Sequence, residues 1–353
     1  MKPIVLAATG VACIVSAQVL WFTAIAPRRP APPDSAAHAA LPPGEFAGTL
    51  MLGGFRGLAC DLLWMRATTA KDQGRHYESI ALFQAIAAVQ PRFPQVWEYL
   101  SWDLAYNLGF DAEGPGAKYA WFVAGVEANA QGCRRNPGDE RILRHLAWML
   151  HHKGDDFHDQ VAAAAWGRLL DPVIAGTNAV IVEHGGQAVP LIGDQVGISN
   201  FALSSRLYTL AVRLVDATGE GTPHATRRLI PLGWEFDGNL HHGAGRHREA
   251  LAAWITALQT WDDVRRWEDA QPEGGPMAPR GISREARERN GGRLRRRAED
   301  LATRLAPDSA SAEAFARALD GGRWDEARQL LASGWRERIP GATGRWLDEG
   351  RSL

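Results

Sequence analysis

Three histidines, His151, His152 and His158, stand among Asp155, Asp156 and Asp159, and imidazole with carboxylate is the donor set of a divalent transition-metal site. His241, His242 and His247 form a second group of the same kind. Helix geometry works against a shared ion, because adjacent residues point about 100° apart. Neither group has the HExxH order that puts two imidazoles on one helix face. Both groups are expected to be polar residues at solvated turns between helices, with metal binding by His151, His152 and His158 kept as the alternative.

Other chemistry leaves little trace. There is no GxSxG elbow, no phosphate-binding GxxxxGK[ST] and no GxGxxG, so no enzyme activity and no cofactor are expected. Arg293, Arg295, Arg296 and Arg297, with Arg284, Arg287 and Arg289 before them, are the one basic concentration. Glu285, Glu288, Glu299 and Asp300 interrupt it and no aromatic residues interleave to stack bases, so it reads as a charged, solvated helix. Of the tryptophans, Trp64, Trp97, Trp148, Trp234 and Trp254 sit at helical spacing and read as core. Trp102, Tyr106 and Asn107 are spaced to share one helix face and are the candidate partner-binding surface.

What would position these residues is a set of helices. Ala, Leu, Arg and Glu dominate the body while β-branched residues are sparse, which favours helix over sheet. The 353-residue chain carries a formal charge of −1, which gives no global reason to expect nucleic acid. Cys60 and Cys133 are the only cysteines outside the apolar N-terminal segment, and no zinc or haem spacing exists. They leave two readings, a single bridge or two separate buried thiols, and the second is the expectation. Glycine and proline punctuate the helices: Gly74 is answered by Pro91, Gly154 by Pro172 and Gly322 by Pro340, while Gly245 meets Asp262 where the proline would fall. Such spacing suits helical hairpins, with a tight turn inside each and a stop after it.

The stretch from Pro231 carries Trp234, Gly238, Gly245, Ala250, Trp254, Ala257 and Leu258 in an order that resembles the tetratricopeptide repeat. Weaker units start at Pro94, with Trp97, Leu100 and Ser101, and at Glu140, with Leu143, Leu146, Ala147 and Gly154. A degenerate last one holds Gly322, Trp324, Ala327 and Leu331. The segment from Gly53 to Asn107 and the later NPGDERILRHLAWMLHHKG also resemble membrane-anchored repeat proteins of planctomycete-type bacteria. The resemblance implies an anchored helical array, binding through the inner face of its first helices, and no activity.

At the N-terminus, Ile4 to Ala26 run without a charge between Lys2 and Arg28, long enough to cross a hydrocarbon core of roughly 30 Å. The rival reading is a cleaved signal ending at Ala24-Ile25-Ala26, opposed by the length of the run and by Pro27. A short N-terminal tail left in the cytoplasm would put the body in a periplasm-like space. Six prolines between Pro27 and Pro43 then make an extended spacer.

The sequence thus predicts an all-α chain: an anchor at 1–26, a spacer at 27–45, tetratricopeptide-like repeats at 46–172, and an irregular helical segment with a Gly-rich loop at 173–230. A well-formed repeat at 231–264, a charged helix and linker at 265–306 and a degenerate repeat at 307–353 complete it. The array would hold roughly five or six hairpins and form a solenoid. Its expected role is a non-catalytic scaffold for a protein or peptide partner at a membrane; the other readings are the metal-binding protein above and a purely structural envelope component.

Overall fold

The computed structural model describes residues 16, 56–156, 176–187, 200–218, 224–271, 281–332 and 334–336. Among these every regular element is a helix and no strand occurs. No described helix is long and apolar enough to cross a membrane; the anchor and spacer, apart from Ser16, fall outside the described residues, as do His158, Asp159, Pro172 and Pro340. The chain divides into two compact units, 1–96 and 97–353.

The first unit holds α1 (Arg56–Asp72) and α2 (His76–Val89). Ala67, Ala70, Ser79, Phe83 and Ile86 are fully buried where the two helices meet. Trp64 packs on Phe83 edge-on, ring centroids 5.2 Å apart, and on Phe93 at 5.4 Å. Small residues at 67, 70 and 79 let the backbones approach while the aromatic rings fill the rest. Helix α2 ends at Val89, just before Pro91, as the spacing predicts. Cys60 is free and buried, and so is Cys133 in the second unit.

The second unit begins within α3 (Pro94–Trp102), which continues as a π-helical turn, Asp103–Leu108, and a short piece, Gly109–Asp111. Next come α4 (Gly114–Arg135), α5 (Glu140–Asp156), a helical segment at 176–183, α6 (Asn200–Thr218), α7 (His224–Gly243), α8 (His247–Asp269), α9 (Gly281–Leu305), α10 (Ser309–Asp320) and α11 (Trp324–Ala332). From α4 onward each of these helices packs on the next in chain order, and α11 also folds back on α8. Trp254, Ile255, Leu258, Leu294, Leu301, Leu305, Phe315, Leu319 and Leu331 form one apolar core across α8 to α11.

One turn design recurs. After α1, Gly74 N–H donates to the Lys71 carbonyl at 2.9 Å and Arg75 N–H to that of Ala70 at 2.8 Å. The same pair of bonds joins Gly245 to His242 and Arg246 to His241, Gly322 to Leu319 and Arg323 to Ala318, and Gly185 to Val182 and Gly186 to Ile181. The leading glycines have φ between 64° and 75°, a region that costs any other L-residue, and the paired bonds close the helix end. In three of the four turns the next residue is an arginine whose carbonyl accepts from Ser79, Ala250 or Ala327, opening the following helix at once.

The structure corrects several boundaries. Gly154 is no turn: α5 runs through it to Asp156. The unit counted from Pro231 begins earlier, because α7 starts at His224 and carries Pro231 inside it. It also ends later, since Asp262 keeps the backbone donor that proline lacks and α8 continues to Asp269. Within 173–230 the described residues 176–183, 200–218 and 224–230 are helical, with α6 at Asn200–Thr218 against the predicted Ser199 to Ala217. The charged helix α9 is not solvated all round, for Leu294, Ala298, Leu301 and Leu305 are buried.

Candidate functional site

The histidines part company. His151 lies edge-on to Phe201, centroids 5.3 Å apart, and to Phe236 at 5.7 Å. His152 turns the other way and stacks on Trp148 at 4.8 Å. In the second group His242 and His247 meet through their Nδ1 atoms at 3.2 Å, while buried His241 faces Asp237 at 3.6 Å. Of the predicted ligands, His151 and His152 thus point apart while His158 lies outside the described residues, and no group of three metal-donor side chains forms among the described residues. His241 and His247 are also buried, at 5% and 4% exposure, rather than solvated as predicted.

Trp102, Tyr106 and Asn107 do not act as one set. Trp102 and Tyr106 stack at 4.3 Å, and both stack on Trp148 of α5, with the two indole planes 7° apart. Tyr106 Oη lies 3.3 Å from His152 Nδ1. Asn107 instead turns inward and donates to buried Asp103 at 2.6 Å. Tyr106 and Asn107 lie within the π-turn, and Gly125 of α4 lets the shelf lie close: a Cβ there would sit 2.7 Å from the Ser101 carbonyl oxygen. Beneath it Asn129 donates to Ser101 Oγ at 3.2 Å and to His145 Nδ1 at 2.6 Å. Burial holds the His145 imidazole down at a pKa of about 4, so it accepts as a neutral ring. Trp148 belongs to the shelf rather than to the core.

A concavity lies elsewhere, on a face missed in the sequence. Helices α6, α7 and α8, with the Gly185 turn, enclose a groove of about 630 Å³, within the range of natural ligand sites. Arg206, Thr209, Leu210 and Arg213 come from one side of α6; Trp234, Asp237 and His241 from one side of α7; Glu249, Ala252, Ala253 and Thr256 from one side of α8. Each set repeats at three- and four-residue spacing, so three helix faces share one space. Two close approaches build the walls. Gly233 packs on α6, where a Cβ would fall 2.1 Å from Ser205 Oγ, and Gly238 packs on α8, where it would fall 2.2 Å from Trp254 Cδ1. Trp234 is half-buried and carries the Arg206 guanidinium 5.5 Å from its ring centre. His241 is pushed down to a pKa of about 4, first by burial and then by Arg246.

The basic run resolves into structural contacts. Arg293 pairs with buried Glu235 of α7 at 3.6 Å, Arg295 with Asp320 at 3.0 Å, and Arg297 lies 5.1 Å over the Trp254 ring. Burial raises the Glu235 pKa and lowers that of Arg297. None of this resembles a phosphate-facing stripe. No family model matches the chain, and neither a curated protein nor a solved structure matches it.

Proposed function

We propose that this chain is a non-catalytic scaffold: a tetratricopeptide-like solenoid, held at a membrane by residues 4–26, that binds a peptide segment of a protein partner. The observation that carries the reading is the groove, to which three successive helices each give one face; arrays of helical hairpins bind extended partners in such concave surfaces. The recurring glycine turns and the seating of Trp254 against Gly238 fit the same repeat pattern. A body placed outside the cytoplasm follows from the N-terminal reading above.

Ala252 is exposed on the groove wall, so Ala252→Trp fills the space without entering the core. The body from residue 46 to 353, used as bait on solubilised membranes, should retain a discrete partner that the Ala252→Trp body does not. Recovery of no partner in mild detergent, or equal recovery by both baits, argues against the proposal.

A further inference from the structure

We infer that the groove selects a peptide of mixed charge, one that turns carboxylates to α6 and a basic side chain to Glu249. The inference rests on reading the groove as the scaffold's binding surface, and it starts from charges that the described residues leave unmet. Arg206 and Arg213 stand at i and i+7 on α6, two turns and roughly 10 Å apart on one side of the helix. Arg213 is exposed and Arg206 is half-buried. Neither forms an ion pair with any described residue, and the contact of Arg206 is the face of Trp234. Its Nε is buried without a hydrogen-bond partner among the described residues. A partly buried guanidinium with no carboxylate among the described residues is costly to hold, and the indole offsets only part of that cost.

The facing walls have the opposite sign. Asp237 lies on α7 beside His241, and Glu249 on α8 forms no ion pair with a described residue. Cations on one helix and carboxylates on the other two give the groove a direction across its width. An apolar segment would leave Arg206 unmet, and a polyanion such as a nucleic acid would meet Glu249 and Asp237. A peptide with acidic and basic side chains on opposite sides satisfies both walls, and the small side chains of Ala202, Ala252 and Ala253 leave room for its backbone. Opposed charges of this kind fix the register and direction of a bound chain more than its affinity.

The test uses the full chain in detergent micelles and fluorescent, end-capped decapeptides rich in alanine, read by anisotropy. One peptide carries two glutamates and a lysine on opposite sides, a second has every charge reversed, and a third has glutamine at those places. The first should bind at least about tenfold more tightly than the others. Arg213→Gln, at an exposed position that does not threaten folding, and Arg206→Gln should each weaken it, while Arg296→Gln on α9 should not. Glu249→Gln should weaken the mixed peptide yet strengthen an all-glutamate one. Equal binding of the three peptides, or unchanged binding by Arg213→Gln, overturns the charge assignment. The scaffold reading falls separately, if Ala252→Trp leaves capture of the partner unchanged.

Discussion

With its Nε buried and no ion pair to a described residue, Arg206 carries a charge that the described side chains do not neutralise. Arg206→Met keeps the apolar contact with Trp234 and removes that charge. Its thermal midpoint should therefore equal or exceed that of the parent, with a gain on the order of 1 kcal/mol, while peptide binding falls; a clear loss of stability would mark Arg206 as a structural residue. Gly238 is the opposite case. An added methyl would stand 2.2 Å from Trp254 Cδ1, so Gly238→Ala should destabilise by about 1–3 kcal/mol in denaturant titration. Three partly or fully buried imidazoles set a pH dependence. His145, His241 and His242 are held near a pKa of about 4 against 6.5 when exposed, in each case chiefly by burial. The unfolded chain therefore binds more protons across that window, and stability should fall as pH drops from about 6.5 to about 4, together by a few kcal/mol. Melts across this range check the slope, which His145→Gln should reduce.

At the scale of elements, turn glycines and apolar spacing were legible because both are local. Gly74, Gly245 and Gly322 have the positive φ their turns require, and α2 and α4 end just before Pro91 and Pro137. Gly154 misled because a glycine within a helix looks like a turn glycine until its hydrogen bonds are known. The π-turn at Asp103–Leu108 has no sequence signature, and within it Tyr106 stacks on Trp148 while Asn107 faces inward. The groove was hidden because Arg206 and Arg213 are unremarkable on a single amphipathic helix; only the packing of α7 and α8 beside it makes a shared concavity of them. Asp262 supplies a direct test. The tetratricopeptide pattern calls for proline there, yet α8 runs through it with Arg265 and Arg266 paired to its carboxylate. Asp262→Pro should break the helix and cost about 3 kcal/mol in thermal or denaturant unfolding, rather than improve the repeat.

For the whole molecule, the helical character of every described element could be read from composition, whereas the site required the tertiary arrangement. The expected anchor makes a prediction at this scale: the full chain should stay in the pellet after carbonate extraction, and a chain lacking residues 1–45 should leave it. Release of the full chain would remove the membrane from the proposal without touching the groove. The shared turns have a further consequence. In three of them a single arginine follows the glycine and already opens the next helix, so no slack separates the two helices. One residue inserted there would rotate the second helix by about 100° and carry its buried face toward solvent. These junctions are therefore locked in length, and variation in chain length must accumulate between hairpins rather than within them.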